Sequence, residues 1–206
     1  MDTLIQGARE FQKRDFHEYK ERFEQIATQQ NPHTLFITCC DSRVVPSLIT
    51  KTIPGELFIV RNIANIVPYY RLTVEYVSTT SAIEYAVQIL NVQNIIICGH
   101  SDCGGCGALF YDDDVLAKIP NTQKWLELAK PVKERIEKIK IENSEEKQVM
   151  TEKENVLEQI EHLKTYPYIK DRCANSTLKI MGWYYMLNTG EIQNYDYALK
   201  KFIQIV

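Results

Sequence analysis

Apolar and polar residues are grouped along this chain in blocks that predict an ordered series of helices and strands. Residues 3–29 form an amphipathic block, with apolar side chains spaced among charges, and predict a long N-terminal helix. Asn31-Pro32 ends it, because the residue before a proline is disfavoured in the helical region. Apolar runs with the length and β-branched content of buried strands follow, at residues 35–38, 56–60, 94–98 and 177–185.

Helical patterns separate these strands. A helix beginning at Thr73 or Ser78 is predicted to reach Leu90, another begins near Cys106, and residues 197–205 predict a closing helix. The charge-dense region 122–163, with a break near residues 142–144, is expected to be a solvated helical face. Strands alternating with helices predict an α/β fold, with a mostly parallel central sheet flanked by helices and a long N-terminal helix, in one domain spanning residues 1–206.

Composition narrows the classes of function. The chain has 206 residues, 24 basic against 27 acidic, and no basic stripe with interleaved aromatics, so we expect no nucleic-acid partner. The apolar runs are far shorter than a membrane span, and the first twenty residues lack the apolar core of a secretory signal, so no membrane partner is expected. Six cysteines without such a signal predict reduced thiols in metal or redox use, and a cytoplasmic location.

Residues that bind metals follow two of the predicted strands. Cys39 and Asp41 follow the first, and His100 and Cys103 follow the third. The carboxyl ends of neighbouring parallel strands meet at one edge of a sheet, so these side chains are expected to converge. Two thiolates and an imidazole suit tetrahedral Zn²⁺, which is catalytic when its fourth position stays open. Cys39, His100 and Cys103 are therefore candidate zinc ligands, although a lone cysteine after an apolar run is more often a core residue.

Two other interpretations of the glycine-rich turn compete with zinc. Cys103 and Cys106 form a C-x-x-C pair at the start of a helix, a spacing also typical of thioredoxin-like redox motifs. A non-catalytic, zinc-stabilised or redox-sensing scaffold is thus the alternative function, but it leaves the segment from Cys39 to Arg43 unexplained. A nucleotide-binding loop is excluded, because the Lys and Ser/Thr that such a loop requires are missing after Gly104.

Four motifs occur in the order of a known family: C-x-D-S-R at 39–43, PGELFIVRNIANIVP at 54–68, SAIEYAV at 81–87 and G-H-S-x-C-G-G at 99–105. In these motifs the sequence resembles the β-class carbonic anhydrases. The resemblance implies one Zn²⁺ per chain, held by Cys39, His100 and Cys103. It implies a lyase that hydrates carbon dioxide reversibly to bicarbonate and a proton, by attack of zinc-bound hydroxide on CO2.

The resemblance also implies roles for five further residues. Asp41 would accept a hydrogen bond from the zinc-bound hydroxide, and Arg43 would hold Asp41 ionised. Without the resemblance, Asp41 and Arg43 would be interpreted as an ordinary polar turn with a surface ion pair. Gln30 would be a hydrogen-bond donor in the CO2 pocket, with Phe58 and Tyr85 as apolar walls. In this family the cleft forms between subunits, so a homodimer or homotetramer is expected.

Departures from the family pattern affect the state of the site. In some β-class enzymes the counterpart of Asp41 becomes a fourth zinc ligand at low pH. Those enzymes resemble sequences that have Trp at the position where this chain has Phe36. The substitution predicts an open site at neutral pH, in which Asp41 does not bind the metal. No proton shuttle is identified, since His17, His33 and His162 are expected to lie on the surface.

Overall fold

In the part of the chain that the structure describes, six strands form one sheet. The computed structural model describes residues 2–73, 75 and 77–205. The strands are β1 (Thr34–Cys39), β2 (Leu57–Asn62), β3 (Asn94–His100), β4 (Lys179–Tyr185), β5 (Ile192–Asp196) and β6 (Lys201–Gln204). Their order is β2-β1-β3-β4-β5-β6; the first four are parallel, and β5 and β6 are antiparallel additions. The predicted α/β fold with a mostly parallel sheet is confirmed.

Helices precede, connect and cover these strands. The α-helices are α1 (Asp2–Glu10), α2 (Phe16–Glu18), α3 (Lys20–Ile26), α4 (Pro46–Thr50), α5 (Ser78–Glu84), α6 (Gly104–Gly107), α7 (Asp113–Leu116), α8 (Pro120–Leu126), α9 (Lys130–Glu137), α10 (Ser144–Leu163) and α11 (Pro167–Ala174). A π turn, Phe11–Asp15, joins α1 to α2, and a second, Tyr85–Ile89, extends α5. The predicted N-terminal helix is therefore present, with an interruption at Tyr19. No helix among the described residues is long and apolar enough to cross a bilayer.

Two predictions of secondary structure were wrong or incomplete. The closing helix expected over residues 197–205 is instead a turn followed by β6, which pairs with a strand, β5, that the pattern did not predict. The rings of Tyr195 and Phe202 lie 5.2 Å apart across this hairpin, so a tertiary contact outweighs local helix propensity. The helix expected from Thr73 or Ser78 begins at Ser78; residues 74 and 76 lie outside the described part.

Helix α10 packs unusually close to the sheet. A Cβ atom at Gly99 of β3 would lie 2.6 Å from Val156 Cγ2, and one at Gly182 of β4 would lie 2.9 Å from Ile160 Cδ1. Glycine at both positions lets the helix approach the backbone of the two strands. The expectation that residues 122–163 present a solvated face was wrong for α10, because its buried residues include Glu152, Asn155, Gln159 and His162.

Candidate metal centre

Three predicted ligands meet at the carboxyl edge of the sheet. Cys39 is the last residue of β1 and His100 the last residue of β3, and these strands are paired in parallel. Cys103 caps the N-terminus of α6, directly after the turn that leaves β3. All three side chains are buried, and their ligand atoms lie within 4.8 Å of one another. The strand order therefore brings together residues separated by more than sixty positions.

The histidine in this cluster is oriented as a ligand. Its Nδ1 atom lies 2.9 Å from the carbonyl oxygen of Ser101, so Nδ1 carries the proton and Nε2 presents a lone pair. Nε2 is buried and has no hydrogen-bond partner among the described residues. A buried nitrogen without a partner is costly, and a metal ion would satisfy it. Together with two thiols it forms the donor set that zinc prefers, so the residues present fit that ion.

The two thiols are held protonated by their surroundings. The Sγ atoms of Cys39 and Cys103 are 3.9 Å apart, and this contact together with burial raises the pKa of Cys39 to about 12. The neighbouring Cys106 side chain and burial likewise raise the pKa of Cys103 above its usual range. A divalent cation would supply the positive charge that two adjacent thiolates require, so binding would release protons.

Asp41 forms a two-pronged ion pair beside the cluster. Arg43 Nε donates to Asp41 Oδ1 at 2.9 Å and Arg43 Nη2 to Asp41 Oδ2 at 2.8 Å, and the backbone N–H of Arg43 also donates to Oδ1. These bonds hold the pKa of Asp41 well below its usual value. Asp41 Oδ2 lies 3.9 Å from His100 Nε2, so the carboxylate adjoins the cluster while paired to arginine. The open site predicted from Phe36, in which Asp41 does not bind the metal, remains a prediction. The pairing of Asp41 with Arg43 agrees with it.

Arg61 holds the backbone of the first ligand segment, a role that the sequence pattern did not predict. It lies on β2, and its Nε donates to the carbonyl of Cys39 at 3.1 Å while Nη2 donates to the carbonyl of Asp41 at 2.6 Å. Arg43 similarly donates to the carbonyl of Asp102 at 3.0 Å. Arginines thus anchor both backbone segments that carry the ligands. Only the pairing of β1 with β2 reveals this, because Arg61 is remote from Asp41 along the chain.

Phe58 and Tyr85, two of the predicted CO2-pocket residues, lie away from the metal cluster of their own chain. Phe58 pairs with Leu35 near the start of β1, four positions before the register pair of Cys39 with Asn62. At about 3.3 Å per residue this is a separation of roughly 13 Å along the sheet. Phe58 packs on Tyr85, with ring centroids 6.2 Å apart, and Tyr85 is 45% exposed. Gln30 is exposed after α3.

One of the three remaining histidines was wrongly expected on the surface. His17 and His33 are exposed, but His162 of α10 is fully buried. Its Nδ1 donates to the carbonyl of Val67 at 2.6 Å, and its ring packs against that of Tyr69 at a centroid distance of 3.8 Å, with the two planes tilted by 38°. A histidine in a charge-rich segment is expected to be exposed to solvent. Only the packing of α10 shows that His162 holds the loop after β2.

Comparison with known proteins places this arrangement in a family. A family model described as carbonic anhydrase matches residues 34–192. A carbonic anhydrase of Helicobacter pylori (strain J99) is 45% identical over 195 residues, which cover 93% of this chain and 88% of that protein. The structure of the β-carbonic anhydrase CcaA matches with a TM-score of 0.93 at 34% identity, covering 100% of this chain and 99% of the other. A tetrameric β-carbonic anhydrase from Sordaria macrospora matches with a TM-score of 0.79 at 29% identity, covering 94% and 95%.

Proposed function

This chain belongs to the β-class of the carbonic anhydrase family, and we propose that it hydrates carbon dioxide reversibly to bicarbonate and a proton using one Zn²⁺ per chain. The observation that carries the zinc proposal is the buried cluster of two thiols and an unpartnered imidazole nitrogen. Cys39, His100 and Cys103 would hold the ion. Family membership supports the reaction, and the donor set supports the choice of metal.

A zinc ion with three protein ligands would act as a Lewis acid that makes water nucleophilic near neutral pH. Carbonic anhydrases with three histidine ligands are the standard example of this effect. Cys39 and Cys103 contribute two negative charges to such a site. His100 contributes a neutral nitrogen, held in direction by its hydrogen bond to Ser101.

Asp41 is proposed to orient the attacking water. Its carboxylate is ionised because Arg43 binds both oxygens, and Oδ2 is the oxygen near the cluster. An ionised carboxylate can only accept hydrogen bonds. It would therefore accept one from an O–H group of the water, which would leave a lone pair of the water oxygen directed at the carbon of CO2. Arg43 keeps this acceptor in place through its further bonds to Asp102.

We further propose that the pocket is completed by a second copy of the chain. Phe58 and Tyr85 lie too far along the sheet to wall the metal cluster of their own chain, so they, with Gln30 as donor, would serve the cluster of a partner. Helix α1 supports assembly, since Leu4 is 82% exposed and no described residue of this helix is buried. A homodimer or homotetramer is proposed on these grounds, in agreement with the tetrameric assembly of the Sordaria macrospora relatives.

A cytoplasmic location is part of the same proposal. Six free cysteines, four of them buried, require a compartment that keeps thiols reduced. The only substrates invoked are carbon dioxide and bicarbonate, with no nucleic-acid or membrane partner.

Stopped-flow CO2 hydration tests this function on the purified protein before and after removal of zinc by a chelator. We expect rapid hydration that disappears with the zinc and returns when Zn²⁺, but not Mg²⁺, is added back. Bound zinc without hydration from neutral to alkaline pH would contradict the proposal. It would direct attention to the redox alternative based on Cys103 and Cys106.

A further inference from the structure

Helix α10 presents a row of polar side chains to the segments that build the site. These residues are spaced by four, three, four and three positions, which places them on one face of the helix: Gln148, Glu152, Asn155, Gln159 and His162. Asn155 donates to the carbonyl of Ala64 at 2.8 Å, and Gln159 accepts from the N–H of Val67 at 2.8 Å. The C-terminal part of the row thus holds the loop after β2, and the N-terminal part holds Cys103.

Glu152 makes the contacts of greatest consequence. It is 1% exposed, and its Oε1 accepts from the backbone N–H of Cys103 and from Gln148 Nε2, both at 2.7 Å. Its Oε2 accepts from the hydroxyl of Tyr184 at 2.7 Å. Gln148 Nε2 also donates to the carbonyl of Cys103 at 3.0 Å. Both backbone polar groups of the ligand Cys103 are therefore tied to α10.

The turn that these bonds hold is strained. Asp102, immediately before Cys103, has φ +56°, a left-handed conformation that is unfavourable for a residue other than glycine. Such conformations persist only where their surroundings determine them. Arg43 binds Asp102 from the solvent side, and Glu152 binds Cys103 from the interior. The ligand turn is thus fixed from two opposite directions.

Packing alone does not explain a carboxylate at this position. Val156 and Ile160 already fill the contact of α10 with the sheet, and burying a charged group is costly unless it is fully hydrogen-bonded. We propose that Glu152 is a positioning residue of the metal centre, which fixes the backbone of the ligand Cys103 while Gln148 and Tyr184 hold its carboxylate. This inference rests on the proposed zinc site, and Glu152 itself does not touch metal or substrate.

Metal affinity of the purified zinc protein, measured by competition with a chromophoric chelator, tests the proposal without turnover. Glu152→Ala should weaken zinc binding about 10- to 100-fold, the usual cost of removing a group that orients a metal ligand. Glu152→Gln should recover most of the affinity, because its amide oxygen can still accept the N–H of Cys103. In the Co²⁺-substituted protein, Glu152→Ala should shift the thiolate-to-metal absorption.

Glu158→Ala is the matched control. Glu158 is also a buried acid on α10, but its hydrogen-bond partners among the described residues are Tyr69, Arg135 and His162, and not Cys103. We expect this variant to lose thermal stability while its zinc affinity stays within about threefold of wild type, because its contacts lie away from the ligand turn. Equal loss of affinity in the two alanine variants would reduce Glu152 to a packing residue and overturn the proposal, as would unchanged affinity in Glu152→Ala.

Tyr184→Phe keeps the test decisive if Glu152→Ala does not fold. It removes one hydroxyl donor to Glu152 without leaving a large cavity. A severalfold loss of zinc affinity with a shifted Co²⁺ spectrum is expected, and wild-type values for both would overturn the proposal. A wild-type protein that binds zinc but does not hydrate CO2 would contradict the proposed reaction alone and leave the role of Glu152 intact.

Discussion

Replacement of Asp41 by asparagine should separate catalysis from metal binding. Asp41 Oδ1 accepts from both the backbone N–H and Nε of Arg43, whereas Oδ2 accepts from Nη2. In Asp41→Asn the amide oxygen must therefore take the Oδ1 position, where two donors meet. The amide NH2 group would then replace Oδ2, the oxygen 3.9 Å from His100 Nε2. An acceptor beside the metal site becomes a donor, without a change in side-chain size.

The expected magnitudes differ for activity and for stability. Loss of a correctly placed hydrogen-bond acceptor that orients the attacking water should cost roughly 100- to 10,000-fold in rate, by analogy with general acid–base groups, which corresponds to about 3–5 kcal/mol in the activation free energy. The ion pair itself should contribute little to folding, because the side chain of Arg43 is about half exposed and solvent screens such pairs. Zinc content should stay at one ion per chain, since Asp41 is not one of the clustered ligands.

Asp102→Asn is the control for this experiment, because it neutralises the second carboxylate on Arg43, on a side chain that is 83% exposed. Its amide oxygen can still accept from Arg43 Nη1, and the bond of Arg43 to the Asp102 backbone carbonyl is kept. We expect its hydration rate to stay within about threefold of wild type. Arg43 depresses the pKa of Asp41, so that carboxylate does not titrate near neutral pH and the deficit of Asp41→Asn should be constant from pH 7 to 9. Stopped-flow hydration and zinc analysis measure both variants. Similar rates in the two would refute the assignment of Asp41.

Three further substitutions test the glycine-rich turn. Gly105→Ala would bring a Cβ to 2.9 Å from Ile63 Cγ2 and 3.0 Å from the backbone N of Ala64, whereas Gly104→Ala meets nothing within 4 Å. Chemical denaturation should therefore show Gly105→Ala less stable than Gly104→Ala by about 1–3 kcal/mol, the cost of overpacking, and equal midpoints would contradict this packing. Cys106→Ser should retain hydration within about threefold, because Cys106 is not among the proposed ligands. A large loss of hydration in that variant, with zinc still bound, would favour the redox interpretation.

The sequence was most informative where function depends on local order. The apolar runs before Cys39 and His100 predicted parallel strands, and the rule that strand ends converge predicted that Cys39, His100 and Cys103 would meet. These expectations could be made because the hydrophobic period, the length of an apolar run and its flanking residues are local properties of the chain. The ordered motifs then connected the cluster with a family, whose membership the comparisons confirmed.

Only the tertiary structure decided which polar residues are buried and what they hold. Glu152 and His162 belong to a charge-rich segment whose sequence predicts exposure to solvent. In the folded chain Glu152 instead contacts the ligand turn, and His162 contacts the loop after β2. The β5–β6 hairpin depends on a cross-strand contact of Tyr195 with Phe202, and the part played by Arg61 depends on the register of β2 against β1. The physical reason is that burial and hydrogen bonding are set by contacts between distant segments, whereas hydrophobic periodicity records only which face of one element is apolar.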